Sequence, residues 1–335
     1  MDALLQVKNL SIRIRLDLPS GENRFFDFVD NISFDIFPGE ITGLVGESGS
    51  GKSLTAYSIP GLLGDNKKVT CGKIFFKNGI SPNASADLLS LSDRELQRVR
   101  GKEISMIFQE PFSSLNPLVK VGRQIAETLE LHGERESARI KKQVRDLMEK
   151  LKLPDSEKLM EAYPHHLSGG MCQRIMIALA MICRPRLLIA DEPTTALDQA
   201  TQTQILSLMK EVNRDFGTSI LFISHDLSLI QNFCSRVLVM YAGRILEEGK
   251  TEEIFNNPAH EYTKGLLRSI PNKEHRGKDL YVIPGRIPSL EEGRPSGCPF
   301  HPRCEKAAPE CRENFPPEKL ISPNHKTHCI LQEAQ

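Results

Sequence analysis

Along the first third of the chain, short apolar, β-rich runs alternate with turn residues: Leu5 to Ile14, Ile32 to Ile36, Ile41 to Val45 and Ile74 to Phe76. This is the pattern of an antiparallel β edge meeting a central strand. The period then changes. From Arg139 to Leu151 the apolar positions Ile140, Val144, Leu147, Met148 and Leu151 follow helical spacing with Lys and Arg on the other face, which predicts a helix with one buried stripe. Two further runs, Leu187 to Ala190 and Ile220 to Ile223, are continuously apolar and end in polar residues. Such runs suit parallel strands buried on both faces, with chemistry at their carboxyl ends. Helical patterns separate them, so an α/β fold is expected. Beyond Pro258 the periodicity fades and Pro, Gly and Cys become dense. That change places a boundary between a large first domain (1–258) and a small C-terminal module (259–335).

The chain has 335 residues and 39% hydrophobic composition, enough for one large or two modest cores. Lys plus Arg and Asp plus Glu both count 43, so no global field draws it to nucleic acid or an anionic membrane. The longest apolar run, Ile175 to Cys183, lies between Arg174 and Arg184 and falls far short of the ~20 residues a membrane span needs. It reads as a buried helix. The N-terminus, Met1 to Leu5, lacks the basic stretch and apolar core of a secretory signal, so a cytosolic chain with reduced thiols is expected.

Three segments carry the chemistry. Gly46-Glu47-Ser48-Gly49-Ser50-Gly51-Lys52-Ser53 fits G-x-x-x-x-G-K-[ST] and directly follows the run Ile41 to Val45. In such a loop glycines let backbone N–H groups turn toward phosphate oxygens at a helix N-terminus, Lys52 neutralises the β- and γ-phosphates, and the Ser53 hydroxyl can ligate Mg²⁺. At the end of the buried run Leu187 to Ala190 stand Asp191, suited to hold Mg²⁺ through its waters, and Glu192, suited to polarise an attacking water. Standing alone, that pair would read first as an acidic loop after a strand. Leu167-Ser168-Gly169-Gly170-Met171 sets a hydroxyl and two glycine amides just before a helical run starting near Cys172, a second anion site more than a hundred residues from the first.

Leu167 to Met171 resembles the LSGGQ signature of ATP-binding cassette (ABC) ATPases, and together with the phosphate loop it identifies the family. The resemblance covers about residues 1 to 255. It implies a phosphate-loop core sheet, an antiparallel β edge, a helical insert over about 110–170, and ATP with Mg²⁺ held in a head-to-tail dimer. There Ser168, Gly169 and Gly170 of one cassette close over the nucleotide of another. Met171 stands where many members have Gln and resembles the peptide-importer branch; it is equally a packing residue. By the same resemblance Gln109, after the run Ile104 to Phe108, is the glutamine that senses Mg²⁺ and water. Ala196-Leu197-Asp198 resembles the D-loop, and His225, at a strand end, resembles the switch histidine on the γ-phosphate. Phe25 and Phe26 are both candidates for the adenine-stacking aromatic, and both could be core.

Glu110 to Pro117 and His260 to Leu267 are similar to segments of oligopeptide, dipeptide and nickel importer ATPases. That branch implies a second ATPase subunit in a heterodimer, two permeases, an external solute-binding protein and a peripheral position on the cytoplasmic face of the plasma membrane. The last four cysteines, Cys298, Cys304, Cys311 and Cys329, sit in a poorly periodic module where thiolates can replace a core by ligating metal. Gly297 to Cys304 resembles a run in peptide-importer ATPases of the D type, which implies a [4Fe–4S] cluster. Zinc, with His301, His325 or His328 as substitute ligands, and four inert thiols are the alternatives. Cys71, Cys172, Cys183 and Cys234 are expected to be small packing residues. A DNA-repair ABC protein is the reading from another class. It is disfavoured by the zero net charge and by the roughly 115 residues between Lys52 and Ser168, too few for the long insertion such proteins carry.

Overall fold

The computed structural model describes residues 2–17, 23–77, 85–195, 197–271, 281–289 and 292–332. Its strands in chain order are β1 (Leu5–Asp17), β2 (Asn23–Ile36), β3 (Ile41–Val45), β4 (Lys67–Lys77), β5 (Ser85–Asp87), β6 (Ile104–Ile107), β7 (Leu187–Asp191), β8 (Ser219–Ser224), β9 (Arg236–Tyr241), β10 (Arg244–Lys250), β11 (Lys319–Ser322) and β12 (His325–Thr327). Contacts divide the chain into two units, one of residues 1–36, 41–89 and 223–335, the other of residues 37–40 and 90–222.

The first unit contains the antiparallel sheet β2-β1-β4-β5. In β1 the buried positions run Leu5, Val7, then Leu10, Ile12, Ile14, a slip of one residue in the period of two. The register shifts between Val7 and Leu10 absorb the slip, and Asn9 and Asn31 take left-handed backbone there with their side chains bonded at 2.9 Å. The bulge keeps the apolar set on one face. In the same unit β3 pairs in parallel with β9, and β9 turns through Ala242 and Gly243, both at positive φ, into antiparallel β10.

Contacts run across the composition change near Pro258. β12 pairs with β10, matching Glu247 to Thr327 and Gly249 to His325. The buried Glu247 carboxylate accepts from Ala259 N (2.6 Å), His260 N (2.9 Å) and His325 Nε2 (2.7 Å). Arg294 donates to Ala242 O (2.7 Å), Asp27 O (2.9 Å), Phe28 O (3.0 Å) and the Asp30 carboxylate (2.7 Å), which also takes Arg244. Tyr241, Tyr262 and Phe300 pack ring on ring at 4.7–5.4 Å between centroids. The last part of the chain is thereby held by buried and part-buried hydrogen bonds and an aromatic cluster against the strands that flank the phosphate loop.

In the second unit β6 and β7 pair in parallel, and β8 lies beside β7. The expected helix appears as Ser137–Lys150, burying Ile140, Val144, Leu147 and Met148. The run Ile175 to Cys183 falls largely in the helix Gly169–Met181. The proline-flanked segment around Asn116 is held by Gln124, whose side chain accepts from Asn116 N (2.9 Å) and donates to Asn116 O (3.0 Å) and Val119 O (2.7 Å). Among the described residues no helix is long and apolar enough to cross a membrane.

Candidate active site

The phosphate loop lies in the first unit, between β3 and the helix Lys52–Ser58. Gly46 sits at φ 155°, and a Cβ there would stand 2.0 Å from Met240 O, so no other residue fits without moving β9. Ser50 N donates to Glu47 O (3.2 Å) and Gly243 N to Ser50 O (2.8 Å), which curl the loop and tie it to the β9–β10 turn. Lys52 is only 5% exposed. Its ammonium donates to Gly46 O (2.8 Å) and Glu47 O (3.0 Å), which holds it inside the loop. Ser53 follows, half-buried, in the first turn of the helix.

Phe25, Phe26 and Phe28 line a cavity of about 240 Å³ together with Gly49, Ala242, Pro288 and Arg294. Phe25 is 60% exposed and Phe26 half-buried, so neither is a core residue. The contribution of Ile287, Pro288, Ser289, Gly293 and Arg294 to this cavity was not foreseen in the sequence. His225 follows β8 and is exposed; the next residue, Asp226, caps the helix Leu227–Phe233 by accepting from Ser228 N (2.8 Å).

The second unit carries the carboxylates and the signature. Asp191 ends β7 and is fully buried. Glu192 turns out of the strand in left-handed backbone, φ 46°, an unfavourable conformation for a residue with a side chain and one that concentrates at functional sites. Its Oε2 accepts from Gln109 Nε2 (3.3 Å) and from Thr195 Oγ1 (3.0 Å). Gln109 and Glu192 are thus in hydrogen-bond contact, and Thr195 is an addition that the motifs did not mark. Ser168 caps the helix Gly169–Met181, its Oγ accepting from Met171 N (3.4 Å), so this helix begins three residues earlier than the apolar run suggested. A Cβ on Gly170 would come within 2.9 Å of Thr201 Cγ2. Asp198 caps the next helix, and hydrogen bonds from Thr201 above all hold its carboxyl below the usual range. Ala196 of the D-loop lies outside the described residues.

The four C-terminal cysteines share one region of the first unit. Cys298 N donates to Cys311 O (2.9 Å), an approach that Gly297 permits, since a Cβ there would lie 2.3 Å from the same oxygen. Cys298, Cys311 and Cys329 are buried and Cys304 half-buried. Burial pushes the Cys298 thiol up to about 12, and the Cys329, Cys311 and Cys304 thiols push it the same way. The closed ligand set expected of Cys298, Cys304, Cys311 and Cys329 is not assembled: among the described residues no group of three or more His, Cys, Asp or Glu is placed to hold a metal ion. In kind, four soft thiols, three of them shielded from water, fit an iron–sulfur centre. As substitute ligands the histidines fare differently from expectation. His325 bonds Glu247, His328 Nδ1 lies 2.8 Å from Pro316 O and His301 Nδ1 lies 2.9 Å from Cys298 O. The ring beside a thiol is that of His260, whose Nε2 is 3.7 Å from Cys298 Sγ. Of the other cysteines, Cys172 and Cys234 are buried as expected, whereas Cys71 is exposed on β4 and so is not a packing residue.

A strand–phosphate loop–helix unit, an acidic pair ending a buried parallel strand and a serine-capped signature helix define an ATP-binding cassette. The family described as ABC transporter matches residues 29–195, and that described as oligopeptide/dipeptide transporter, C-terminal region, matches residues 246–311. The oligopeptide transport ATP-binding protein OppD of Salmonella typhimurium is 43% identical over 329 residues, 98% of this chain and 94% of that protein. The dipeptide transport ATP-binding protein DppD of Bacillus subtilis is 42% identical over 336 residues, 100% of this chain and 96% of that protein. Among solved structures, the dimeric post-hydrolysis state of the ATP-binding cassette MJ0796 bound to ADP and Pi aligns with TM-score 0.62 and 26% identity, over 74% of this chain and 98% of that one. The chain belongs to the ABC transporter ATP-binding family, as an ATPase whose C-terminal region is of the oligopeptide/dipeptide transporter type.

Proposed function

We propose that this chain hydrolyses ATP to drive uptake of di- or oligopeptides across the cytoplasmic membrane. The observation that carries the reading is 43% identity over nearly the whole chain, C-terminal region included, to an oligopeptide transport ATP-binding protein. The loop Gly46–Ser53 holds the β- and γ-phosphates by its amides and Lys52, and the base enters the cavity lined by Phe25, Phe26 and Gly49. Ser53, Asp191 and Gln109 are oxygen donors suited to Mg²⁺, which when bound neutralises charge on the phosphates. Glu192 accepts a proton from the attacking water, Gln109 orients that water, and His225 contacts the γ-phosphate. Ser168, Gly169 and Gly170 act on the nucleotide of a facing cassette, so the dimer is the enzyme.

That partner is a sister ATPase in a heterodimer, docked with two permeases on the cytoplasmic face and served by an external solute-binding protein. The chain alone is therefore expected to hydrolyse ATP slowly and to gain at least about tenfold on assembly, a modest share of what complete electrostatic preorganisation supplies. Reconstituted proteoliposomes decide between solutes. ATP-dependent accumulation of labelled peptide supports the reading, nickel uptake without peptide uptake moves it to the metal branch, and full ATPase activity in a monomer removes the dimer.

Cys298, Cys304, Cys311 and Cys329 are proposed to ligate a [4Fe–4S] cluster, on the strength of four thiols in a module with little apolar periodicity. Protein purified without oxygen is expected to be brown and to carry about four irons and four sulfides per chain. Stoichiometric zinc without iron would reject the cluster in favour of the alternative metal, and no metal would reject both.

A further inference from the structure

Arg303 occupies an unusual place for a residue of the cysteine-rich region. Its side chain is only 6% exposed. Nε donates to Pro284 O (2.7 Å) and Nη2 to Ile283 O (3.2 Å), which fix the guanidinium within the extension. Nη1 points the other way, to both carboxylate oxygens of Glu47 (3.0 and 3.1 Å) and to the Tyr241 hydroxyl (3.3 Å). Glu47 is the second residue of the phosphate loop. Its N–H donates to the Tyr262 hydroxyl (2.9 Å) and its carbonyl takes the Lys52 ammonium (3.0 Å). Tyr262, in the helix Glu261–Arg268, also comes from the far side of Pro258.

We propose that Arg303 is a positioning residue for ATP binding: by clamping and neutralising Glu47 it sets the charge and shape of the phosphate loop from within the C-terminal extension. Two physical effects act together. A carboxylate in a loop that receives a polyanion opposes the ligand, and the effect is strong where water is partly excluded. Arg303 cancels that charge with a planar donor that no lysine reproduces. The same bonds restrain Glu47, whose carbonyl holds Lys52, so the loop is preorganised before nucleotide arrives. Because Arg303 directly precedes Cys304, in the short turn His301–Arg303, the clamp is seated by the cysteine-bearing segment itself.

The inference rests on the phosphate site proposed at Gly46–Ser53, and the test separates the two. The full-length chain is titrated with ATP, and KM and kcat are measured in the assembled transporter. Arg303→Ala is expected to weaken ATP binding about tenfold, equivalent to about 1.4 kcal/mol, and to raise KM with kcat within about twofold, since Glu192, Gln109 and His225 are untouched. Arg303→Lys, which keeps the charge and loses the fork, is expected to lie between, about threefold weaker. Adding Glu47→Gln to Arg303→Ala removes the uncompensated charge and is expected to recover most of the loss. A merely structural arginine would lower the melting temperature without that recovery. The proposal is overturned by unchanged ATP affinity in Arg303→Ala, or by a double variant no better than the single one. If Arg303→Ala does not fold, Arg303→Lys with wild-type affinity overturns it equally. Lys52→Ala serves as control. If it keeps ATP, the phosphate-site reading itself fails; if it loses ATP while the arginine variants do not, only this inference fails.

Discussion

Glu192→Gln is expected to bind Mg-ATP as the wild type does and to hydrolyse it about 10³-fold more slowly, within the range a positioned general base contributes. The amide has the size of the carboxylate and can keep a contact with Thr195 Oγ1, which now lies 3.0 Å from Oε2. It cannot take up the proton that the attacking water must lose. The left-handed backbone at Glu192 strengthens the assignment, because a strained turn directly after a buried strand aims one side chain away from the sheet. Gln109 reaches the same oxygen from the end of β6, the neighbouring parallel strand. Both therefore follow paired parallel strands of the second unit. Phosphate release from the assembled complex, measured beside nucleotide affinity, checks the expectation. Turnover within tenfold of wild type would remove Glu192 from the role of base.

The legible parts of this fold are those whose signal is local. β3 spans Ile41–Val45, as its apolar run predicts, and β7 and β8 extend theirs by one or two polar residues. A strand buried on both faces has little choice but to be continuously apolar. The phosphate loop was readable for a similar reason, since its demands on backbone and charge fall on adjacent residues. What stayed hidden depends on partners distant in sequence. The first nine residues of β2, Asn23–Asn31, place Phe25, Phe26, Phe28 and Val29 without a period of two and are completed as a strand by pairing with β1. β11 and β12 are four and three residues long, shorter than any periodicity can register. The clamp of Arg303 on Glu47 joins residues 256 apart. Its sequence trace is only an arginine in a stretch dense in proline and cysteine, where burial could not be foreseen. The resemblance of Gly297 to Cys304, conversely, implied four thiolate ligands, and among the described residues no group of three or more His, Cys, Asp or Glu is placed to hold a metal ion.

Lys52→Ala is expected to fail at the earlier step, losing ATP itself. The ammonium lies buried among the loop carbonyls of Gly46 and Glu47. On nucleotide binding it exchanges those neutral acceptors for anionic phosphate oxygens, so ion–dipole bonds become ion–ion bonds. With charge-assisted bonds contributing about 1.5–3 kcal/mol each, loss of two predicts an affinity about 10²- to 10⁴-fold lower. The truncation also leaves the two carbonyls without the lysine donor and the triphosphate facing Glu47 with one compensating cation fewer. The helix Lys52–Ser58 should still form, because Thr55 Oγ1 bonds Gly51 O (3.0 Å) and alanine suits its first turn. Unfolding is thus not the expected cause, and circular dichroism alongside calorimetric titration tells the two apart. The contrast with Glu192→Gln is the discriminating result: one variant holds nucleotide without cleaving it, the other does not hold it. An ATP affinity within threefold of wild type in folded Lys52→Ala would take Lys52 out of the phosphate site.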